Sequence, residues 1–331
     1  MEELIKNFPQ QLKKSIDLTE KVRFRSPENE IQHVVMAGMG TMNTAATLAA
    51  SVFASELKIP VFLFKSYDLP DFVGKNTLVV LGSFSGQTEE ILLLTQQAMA
   101  KKAEIACITS AGKLLQIAEE NKFTRIELPT DALTSRASWA YIFVQILNIW
   151  HRYGLIGDDF QVQLQESVWL LEAQQKNMSE KARILADELF GNLPIAYGDE
   201  KIMGVLLRLQ QQINENAKLL AHVQSFPEMN HNELAAFLEH ETILKKAVVM
   251  LVKTDFDHPR VKLRMEICNP IFEKIAKDVL TIKASGDYLL EQAIFLVHFF
   301  DWVSFYLAEK NVVDAMKIEN IDFLKDILKV K

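Results

Sequence analysis

Short apolar runs alternate with helical segments along most of the sequence, and this alternation limits the possible folds more than any other feature. In the first half the runs are HVVMAG, VFLFKS, NTLVVLGS, EIACITS and FTRIELP, separated by helical stretches or turns. Runs of this kind are typical of strands in a parallel sheet that is covered by helices on both faces. The sequence therefore predicts an α/β protein.

The alternation stops near RYGLIGDD and then starts again. A long helix is predicted over residues 158–190, followed by strands in LPIAYGD, AVVMLVKT and VLTIKAS. Further helices are predicted over residues 201–220 and 231–239. Because the two series have comparable lengths, we predict two three-layer αβα units, each with a mainly parallel sheet, over residues 1–155 and 156–331.

Composition and charge exclude several classes of protein. The chain of 331 residues has a net charge of −7, which argues against nucleic acid as a partner because phosphate-backbone binding requires a basic surface. Cys107 and Cys268 form neither a disulfide framework nor a zinc-ligand spacing. The longest apolar runs are too short and too polar to cross a membrane, and the first residues lack a signal peptide. We therefore predict a cytoplasmic protein.

The glycine turn GMGTMN after the first predicted strand is one candidate site. It is similar to a dinucleotide-binding fingerprint, but Asn43 stands where G-x-G-x-x-G requires its third glycine. The second strand ends in Lys65 and Ser66 instead of the acidic residue that holds a ribose. We therefore predict no nucleotide cofactor, and a tight turn in which Gly38 and Gly40 allow a close approach to the backbone.

Three hydroxyl side chains occur in one turn, SFSGQTEE, where the third strand gives way to a helix. A helix cap needs one hydroxyl, so Ser85 as the cap, with Thr88 in the first helical turn, explains part of the motif. The alternative is a phosphate site, since a helix N-terminus offers free N–H groups and the positive end of a dipole. Ser83, Ser85 and Thr88 would then converge on the phosphate oxygens.

Two further motifs carry groups that are suited to proton transfer. Glu215 lies in NENAK, late in a predicted helix, and His231 lies in FPEMNHNELAAF, behind a proline-containing loop. A polar helix face and a capping or surface histidine are the simpler explanations. The functional explanation makes Glu215 a general base and His231 an acid or base. The other histidines do not cluster with carboxylates at a ligand spacing, so no metal site is predicted.

In their order along the chain, AGMG, SFSGQTEE, ITSAGKLLQIA, SRASWAY, NENAK and HNELAAF resemble the motifs of the sugar isomerase (SIS) domain superfamily. More narrowly, the chain resembles the bifunctional phosphoglucose/phosphomannose isomerase family from about residue 30 to its end, which closes on DAMKIENIDFLKDIL. The hydroxyl turn is common to SIS proteins, whereas NENAK and HNE are more specific. The resemblance implies that both αβα units are of the SIS type.

The resemblance implies an isomerase that interconverts aldose and ketose 6-phosphates through a cis-enediol, without metal or cofactor. In the family pattern Ser83, Ser85 and Thr88 hold the phosphate. Glu215 carries the proton between C2 and C1. Arg136 matches the arginine that stabilises the enediolate oxygens, a role that suits a permanently charged fork of donors. The implied substrates are glucose 6-phosphate and fructose 6-phosphate, with mannose 6-phosphate as a further candidate.

The resemblance also implies a homodimer. His231 would open the sugar ring, and it would reach the active site from the partner subunit. Lys325, in FLKDIL, matches a C-terminal lysine near the ring-opening site. If His231 acts in this way, a monomer would be inactive. Neither a nucleic acid nor a membrane is implied as a partner.

Several positions depart from the family pattern. Met42 stands where the family has a phosphate-binding serine, and Thr41 or Asn43 is the expected substitute. Ser135 replaces the proline before the arginine, and residues 312–315 replace Gly-x-Asp-Pro. These departures leave two alternatives open. One is an SIS enzyme for an amino-sugar or sugar-amine phosphate, and the other is a phosphosugar sensor that has lost catalysis.

Overall fold

The computed structural model describes residues 1–19, 22, 24–238 and 242–328. Its first sheet has five strands in the order β2-β1-β3-β4-β5, and all neighbouring strands are parallel. The strands are β1 (His33–Gly38), β2 (Val61–Phe64), β3 (Thr77–Gly82), β4 (Glu104–Thr109) and β5 (Thr124–Glu127). The strands β1, β3 and β4 are buried almost throughout, as their continuous apolar sequences predict.

Helices cover both faces of this first sheet. The outer face packs against α4 (Glu89–Ala100) and α5 (Gly112–Glu120). The inner face packs against α3 (Thr41–Val52) and α6 (Trp139–Arg152). Two N-terminal helices, α1 (Glu2–Lys6) and α2 (Phe8–Thr19), contribute to the same inner layer.

The second sheet has four parallel strands in the order β7-β6-β8-β9. They are β6 (Leu193–Asp199), β7 (His222–Phe226), β8 (Ala247–Lys253) and β9 (Asp278–Lys283). The helices of this half are α7 (Asp159–Leu189), α8 (Met203–Gln212), α9 (Pro259–Glu273), α10 (Leu289–Lys310) and α11 (Glu319–Leu328). The predicted α/β class and its two parallel sheets are confirmed.

One continuous apolar core joins the two sheets. Met36 of β1 and Met250 of β8 face it from opposite sides, and α3, α6, α7, α8 and α10 fill the space between them. Successive residues of a strand point to opposite faces, so Tyr197 and Leu251 face away from this core. On that outer face of the second sheet they pack with α9.

The runs that are most apolar in the sequence are core helices. Both α6 and α10 are buried along most of their length because they lie between the sheets. Among the helices within the described residues, none is long and apolar enough to span a membrane.

Three elements of the second half differ from the sequence-based expectation. Strand β7 was not expected, because HVQSF mixes polar and apolar residues, as the edge position of this strand allows. The helix expected over 201–220 ends at Gln212 and continues as a π-helix, Ile213–Ala217. The helix expected over 231–239 is replaced, within the described residues, by 3-10 turns at Glu228–His231 and Glu233–Ala236. Local hydrogen bonds of the Asn232 side chain, to the Glu228 carboxylate and from the Glu233 backbone N–H, compete with the regular helix there.

Candidate active site

The candidate residues of the first half gather at the carboxyl edge of the first sheet. The chain passes from β1 to β2 on one side, and then from β2 to β3 on the other side of β1, so the strand order reverses between β1 and β3. Open α/β sheets form a ligand crevice at the carboxyl ends of the strands where the order reverses. Strand β1 ends at Gly38, and Gly40 precedes α3 with φ +51°. That left-handed conformation favours glycine, and the predicted tight turn is present.

The hydroxyl turn after β3 lies beside this crevice. The Ser83 and Thr88 hydroxyls are 2.7 Å apart and hydrogen-bonded to each other, and the Ser85 hydroxyl accepts from the Gln87 amide at 3.3 Å. The expectation that Ser85 caps the helix is wrong, since Thr88 is the N-cap residue of α4 and makes no side-chain cap bond. None of the three hydroxyls is therefore committed to capping α4. All three remain candidates for an anion at its N-terminus.

A second turn braces the hydroxyl turn. The Ser110 amide and hydroxyl both donate to the Phe84 carbonyl, and the Leu114 amide donates to the Gly86 carbonyl at 3.0 Å. Gly86 has φ +63°, and a Cβ built on it would lie 1.8 Å from the Ala111 carbonyl oxygen. Only glycine fits this contact. The interlocked turns hold the three hydroxyls in a fixed arrangement before any ligand binds.

Met42 fills the base of the crevice between β1 and β3. Its side chain is buried, and it lies so close that a Cβ on Gly38 would be 2.1 Å from Met42 Cγ. A Cβ on Gly82 would be 2.4 Å from Met42 Sδ. The thioether therefore takes the space that the two glycines leave. Thr41, the expected substitute hydroxyl, is the first residue of α3 and is also buried.

Arg136 follows β5 in a 3-10 turn and is 4% exposed. Its Nε donates to Asn216 Oδ1 at 3.0 Å, and its Nη2 donates to the carbonyls of Ala315 and Met316 at 2.7 and 2.8 Å. Arginine has five N–H donors, so these contacts occupy three and leave the two on Nη1. The guanidinium is thus fixed with one edge available.

Glu215 lies on that available edge. Its Oε2 is 3.5 Å from Arg136 Nη1, and its side chain is 26% exposed, so the carboxylate remains partly accessible to solvent. It sits in the π-helix Ile213–Ala217, a distortion that frequently occurs at functional sites. The structure therefore brings together two of the residues that the sequence singled out.

Lys218 and the segment before α11 close the other side of the pair. The Lys218 ammonium donates to the carbonyls of Glu215, Asn216 and Asp314, and the backbone of this residue is left-handed with φ +57°. Burial lowers the pKa of Arg136, and the nearby carboxylate of Glu215 opposes that shift. Burial and the neighbouring Arg136 lower the pKa of Lys218. Two cations thus lie close to Glu215, Arg136 buried and Lys218 exposed.

A buried ion pair beneath Arg136 was missed by the sequence analysis. Arg208 of α8 and Asp301 of α10 pair through two contacts of 2.6 and 3.0 Å, and both side chains are almost fully buried. Arg208 also donates to the Arg136 carbonyl at 3.1 Å. The signal was present in the sequence, because Arg208 is the one charged residue of α8 and Asp301 is the one charged residue of α10 between Glu291 and Glu309.

The structure does not bring His231 to Glu215 within one chain. The neighbours of His231 in its loop, Met229 and Phe237, pack on the outer face of the second sheet, whereas the residues flanking Glu215 face the core between the sheets. His231 itself is exposed. Lys325 is exposed on α11, a helix with no buried residue. Within the described residues, neither side chain has a hydrogen bond or ion pair.

Metal ligands were also sought in the described part of the chain. No group of three or more histidine, cysteine, aspartate or glutamate side chains there is arranged to hold a metal ion. The two cysteines are free and buried.

Two family models match the chain, one over the first sheet and one over the second. A family model described as the SIS domain matches residues 29–151. Another, described as the bacterial phospho-glucose isomerase C-terminal SIS domain, matches residues 178–328. A bifunctional phosphoglucose/phosphomannose isomerase of Caldicellulosiruptor bescii is 31% identical, over 99% of this chain and 98% of its own. The chain belongs to the bifunctional phosphoglucose/phosphomannose isomerase family. The family resemblance seen in the motifs is thereby confirmed, and so is the expectation of an aldose–ketose phosphosugar isomerase.

Further relatives support the assignment, and one of them has a different enzyme name. The enzyme of the same name from Aquifex aeolicus is 32% identical over 89% of this chain and 90% of its own. A D-glucosamine-6-phosphate 4-epimerase of Sulfolobus acidocaldarius is 30% identical over 71% of this chain and 73% of its own. These relatives are named as enzymes, so they favour catalysis over the sensor alternative.

Solved structures of low sequence identity show the same fold. Tagatose-6-phosphate ketose/aldose isomerase of Escherichia coli matches with a TM-score of 0.74 and 15% identity, over 96% of both chains. The C-terminal domain of glucosamine-fructose-6-phosphate aminotransferase from Francisella tularensis matches with a TM-score of 0.75 and 13% identity, over 95% of this chain and 96% of that one. The SIS fold predicted from the sequence is confirmed.

Proposed function

We propose that the chain interconverts glucose 6-phosphate, mannose 6-phosphate and fructose 6-phosphate by proton transfer between C1 and C2. The observation that carries this proposal is the contact between Glu215 and Arg136. An accessible carboxylate beside a fixed guanidinium is what abstraction of a proton next to a carbonyl requires. Membership of the phosphoglucose/phosphomannose isomerase family supports the choice of substrates.

In the proposed mechanism Glu215 takes the proton from C2 of the open-chain aldose. The electron pair of the broken C–H bond forms the C1–C2 double bond of the enediolate, and negative charge moves to the oxygen on C1. Nη1 of Arg136 has two N–H donors, and the one that does not face Glu215 stabilises that charge. Because Arg136 is already held by Asn216 and two carbonyls, it does not need to reorganise as the charge develops. A proton then moves from the hydroxyl on C2 to the oxygen on C1, and Glu215 returns its proton to C1. The electron pair left on the oxygen of C2 forms the new carbonyl, which gives the ketose.

The phosphate is proposed to bind at the hydroxyl turn. Ser83, Ser85 and Thr88 stand at the N-terminus of α4, where free amides and the helix dipole favour an anion. Binding so far from C1 and C2 orients the sugar without taking part in the proton transfer. Thr41, at the start of α3, is a further candidate contact on the opposite side of the crevice.

The ring-opening step is proposed to require a homodimer. His231 is exposed on the outer face of its own second unit and has no described partner, which supports its donation to the site of a second subunit. Lys325 is proposed to lie near that step, since α11 is amphipathic and exposed within a single chain.

The first test is NMR of the protein with fructose 6-phosphate in D2O. We expect glucose 6-phosphate that carries deuterium at C2, and mannose 6-phosphate if both activities are present. The Glu215→Gln variant should lose about 10²- to 10⁴-fold in kcat, since it lacks the base. Its affinity for glucose 6-phosphate, measured as a shift in unfolding temperature, should stay close to that of the wild type. Full turnover by this variant would refute the mechanism.

A second candidate substrate is an amino-sugar 6-phosphate. It is favoured by the relationship to a D-glucosamine-6-phosphate 4-epimerase and by Met42, which leaves no hydroxyl at the base of the crevice. The same NMR experiment with glucosamine 6-phosphate distinguishes the two. Conversion of the amino sugar without conversion of fructose 6-phosphate would favour this candidate.

A further inference from the structure

The loop that carries His231 is tied to the second unit on both sides of that residue. It runs from Pro227 to Leu238 and covers the outer face of the second sheet, where Met229 and Phe237 are buried. His231 is exposed between these two apolar contacts. A catalytic group on a loop needs such support, because a loop alone does not fix a side chain precisely enough.

On the C-terminal side of His231, the support is Glu233. Its Oε2 accepts a hydrogen bond from the Tyr197 hydroxyl at 2.9 Å and lies 2.8 Å from Nε2 of His222. Tyr197 is fully buried in β6, with its ring stacked on Phe272 of α9. Burial and the adjacent carboxylate raise the pKa of Tyr197, so its hydroxyl keeps its proton and stays a donor. We name Glu233, Tyr197 and His222 the Glu233 clamp.

On the N-terminal side, the support comes from α9. Arg264 donates to Asn230 Oδ1 at 3.0 Å, and Asn230 Nδ2 donates to the Cys268 sulfur at 3.2 Å. Asn230, immediately before His231, is therefore hydrogen-bonded to α9. Glu233, two residues after His231, contacts β6 and β7. None of these contacts involves the Arg136–Glu215 pair.

We propose that the Glu233 clamp is a positioning device for His231. This inference rests on the proposed function, in which His231 opens the sugar ring. The clamp ties the side chain of Glu233, two residues from His231, to a buried tyrosine and to an edge strand, and so restricts the position from which the imidazole projects. Ring opening requires proton transfer to and from ring atoms at hydrogen-bond distance, and a displacement of about 1 Å costs up to about 100-fold in rate.

Ring opening can be measured separately from isomerisation. The α and β anomers of glucose 6-phosphate interconvert only through the open chain, and this exchange needs no transfer of a proton from carbon. In the Glu215→Gln background, NMR magnetisation exchange between the anomers therefore reports ring opening alone. We expect this parent protein to accelerate the exchange, and His231→Gln in the same background to abolish the acceleration.

The clamp is tested by adding Glu233→Ala to the Glu215→Gln protein. We expect anomer exchange to fall about 10- to 100-fold while glucose 6-phosphate binds with unchanged affinity. Glu233→Gln, which restores an acceptor for the Tyr197 hydroxyl, should recover part of the rate. Tyr197→Phe keeps the buried ring and removes only the hydroxyl donor to Glu233. It should therefore also slow anomer exchange, and it replaces Glu233→Ala as the test if that variant folds poorly.

Glu228→Ala is the matched control, because Glu228 is a carboxylate of the same loop. Within the described residues, its one hydrogen bond is to Asn232 of that loop and not to the sheet or to α9. It should leave anomer exchange unchanged. If the Glu233→Ala and Tyr197→Phe proteins exchange anomers as fast as a functioning parent, the clamp is refuted and the proposed function stands. If the parent itself does not accelerate the exchange, ring opening by His231 is refuted, and the clamp with it.

Discussion

At the scale of single residues, Met42 shows how one side chain alters a crevice that is otherwise formed by backbone. Its thioether covers Gly38 and Gly82 and is 3% exposed, so it packs as a core residue at a place where the fold exposes ligand sites. A hydroxyl at this position would face the crevice but would leave volume unfilled. At position 42, filling the core therefore competes with placing a polar side chain beside the hydroxyl turn.

Replacing Met42 by serine should separate these two effects. We expect Met42→Ser to lower the free energy of unfolding by about 2–4 kcal/mol, since a buried side chain is lost. The same variant should bind inorganic phosphate more tightly, because a donor is added beside the hydroxyl turn, and a hydrogen bond to a charged group contributes about 1.5–3 kcal/mol. Calorimetric unfolding and phosphate titration measure the two quantities.

Met42→Ala is the control for this substitution, because it creates a similar cavity without adding a hydroxyl. The difference between the two variants isolates the contribution of the hydroxyl. Equal phosphate affinities for Met42→Ser and Met42→Ala would mean that the phosphate does not reach this position.

At the scale of elements, the site depends on how α8 and α10 are joined beneath it. The Arg208–Asp301 pair links the two helices, Gln212 adds a third hydrogen bond to the same carboxylate, and Arg208 also holds the Arg136 carbonyl. Asn216 extends the network by donating to Ser304 of α10 at 2.9 Å while it accepts from Arg136. Arg136 is therefore oriented by α8 and by the π-helix that continues it, and α10 supports both of these contacts.

Breaking the buried pair should be costly. We expect Asp301→Asn to lower the free energy of unfolding by about 3–5 kcal/mol, because the guanidinium of Arg208 would be left buried without a counter-charge. Asp187→Asn is the matched control, since Asp187 pairs with Lys310 at the surface and its side chain is half exposed. That change should cost less than about 1 kcal/mol. Denaturant unfolding measures the free energy of unfolding of both variants. Equal losses of stability in Asp301→Asn and Asp187→Asn would contradict the role given to the buried pair.

The elements were predictable where their pattern was strong. Strands β1, β3 and β8 are continuous apolar runs and were found at nearly their observed limits. Strand β7 was missed because its sequence resembles a loop, and it pairs only because β6 provides a template. The π-helix around Glu215 is set by tertiary contacts to Arg136 and α10, which no local pattern contains.

The sequence predicted which residues belong to the candidate site, but it did not predict all the contacts that hold them in place. The motifs pointed to Glu215 and Arg136, 79 positions apart, and the fold brings them into contact. The role of the backbone at residues 315 and 316 was not visible, because carbonyl acceptors carry no side-chain signature.

At the scale of the whole molecule, the proposed catalytic groups lie on two different faces of the second sheet. Arg136 and Glu215 lie on the side of the shared core, whereas His231 lies on the outer face of the second sheet. A site that uses all three residues therefore requires a second copy of the chain, if the proposed ring opening by His231 holds. Closed dimers with two-fold symmetry supply such a contact twice.

Subunit mixing tests this arrangement directly. Glu215→Gln and His231→Gln dimers should each be inactive, because both sites of each dimer lack one essential group. In a hybrid dimer, one site combines the intact Glu215 of one chain with the intact His231 of the other. Random pairing of equal amounts should therefore restore about a quarter of the wild-type isomerase activity, since half of the dimers are hybrids with one working site each. Co-expression with two affinity tags allows the hybrid to be purified and its rate measured. If both groups acted within one chain, every site in the mixture would lack one of them, and the hybrid would remain as inactive as its parents.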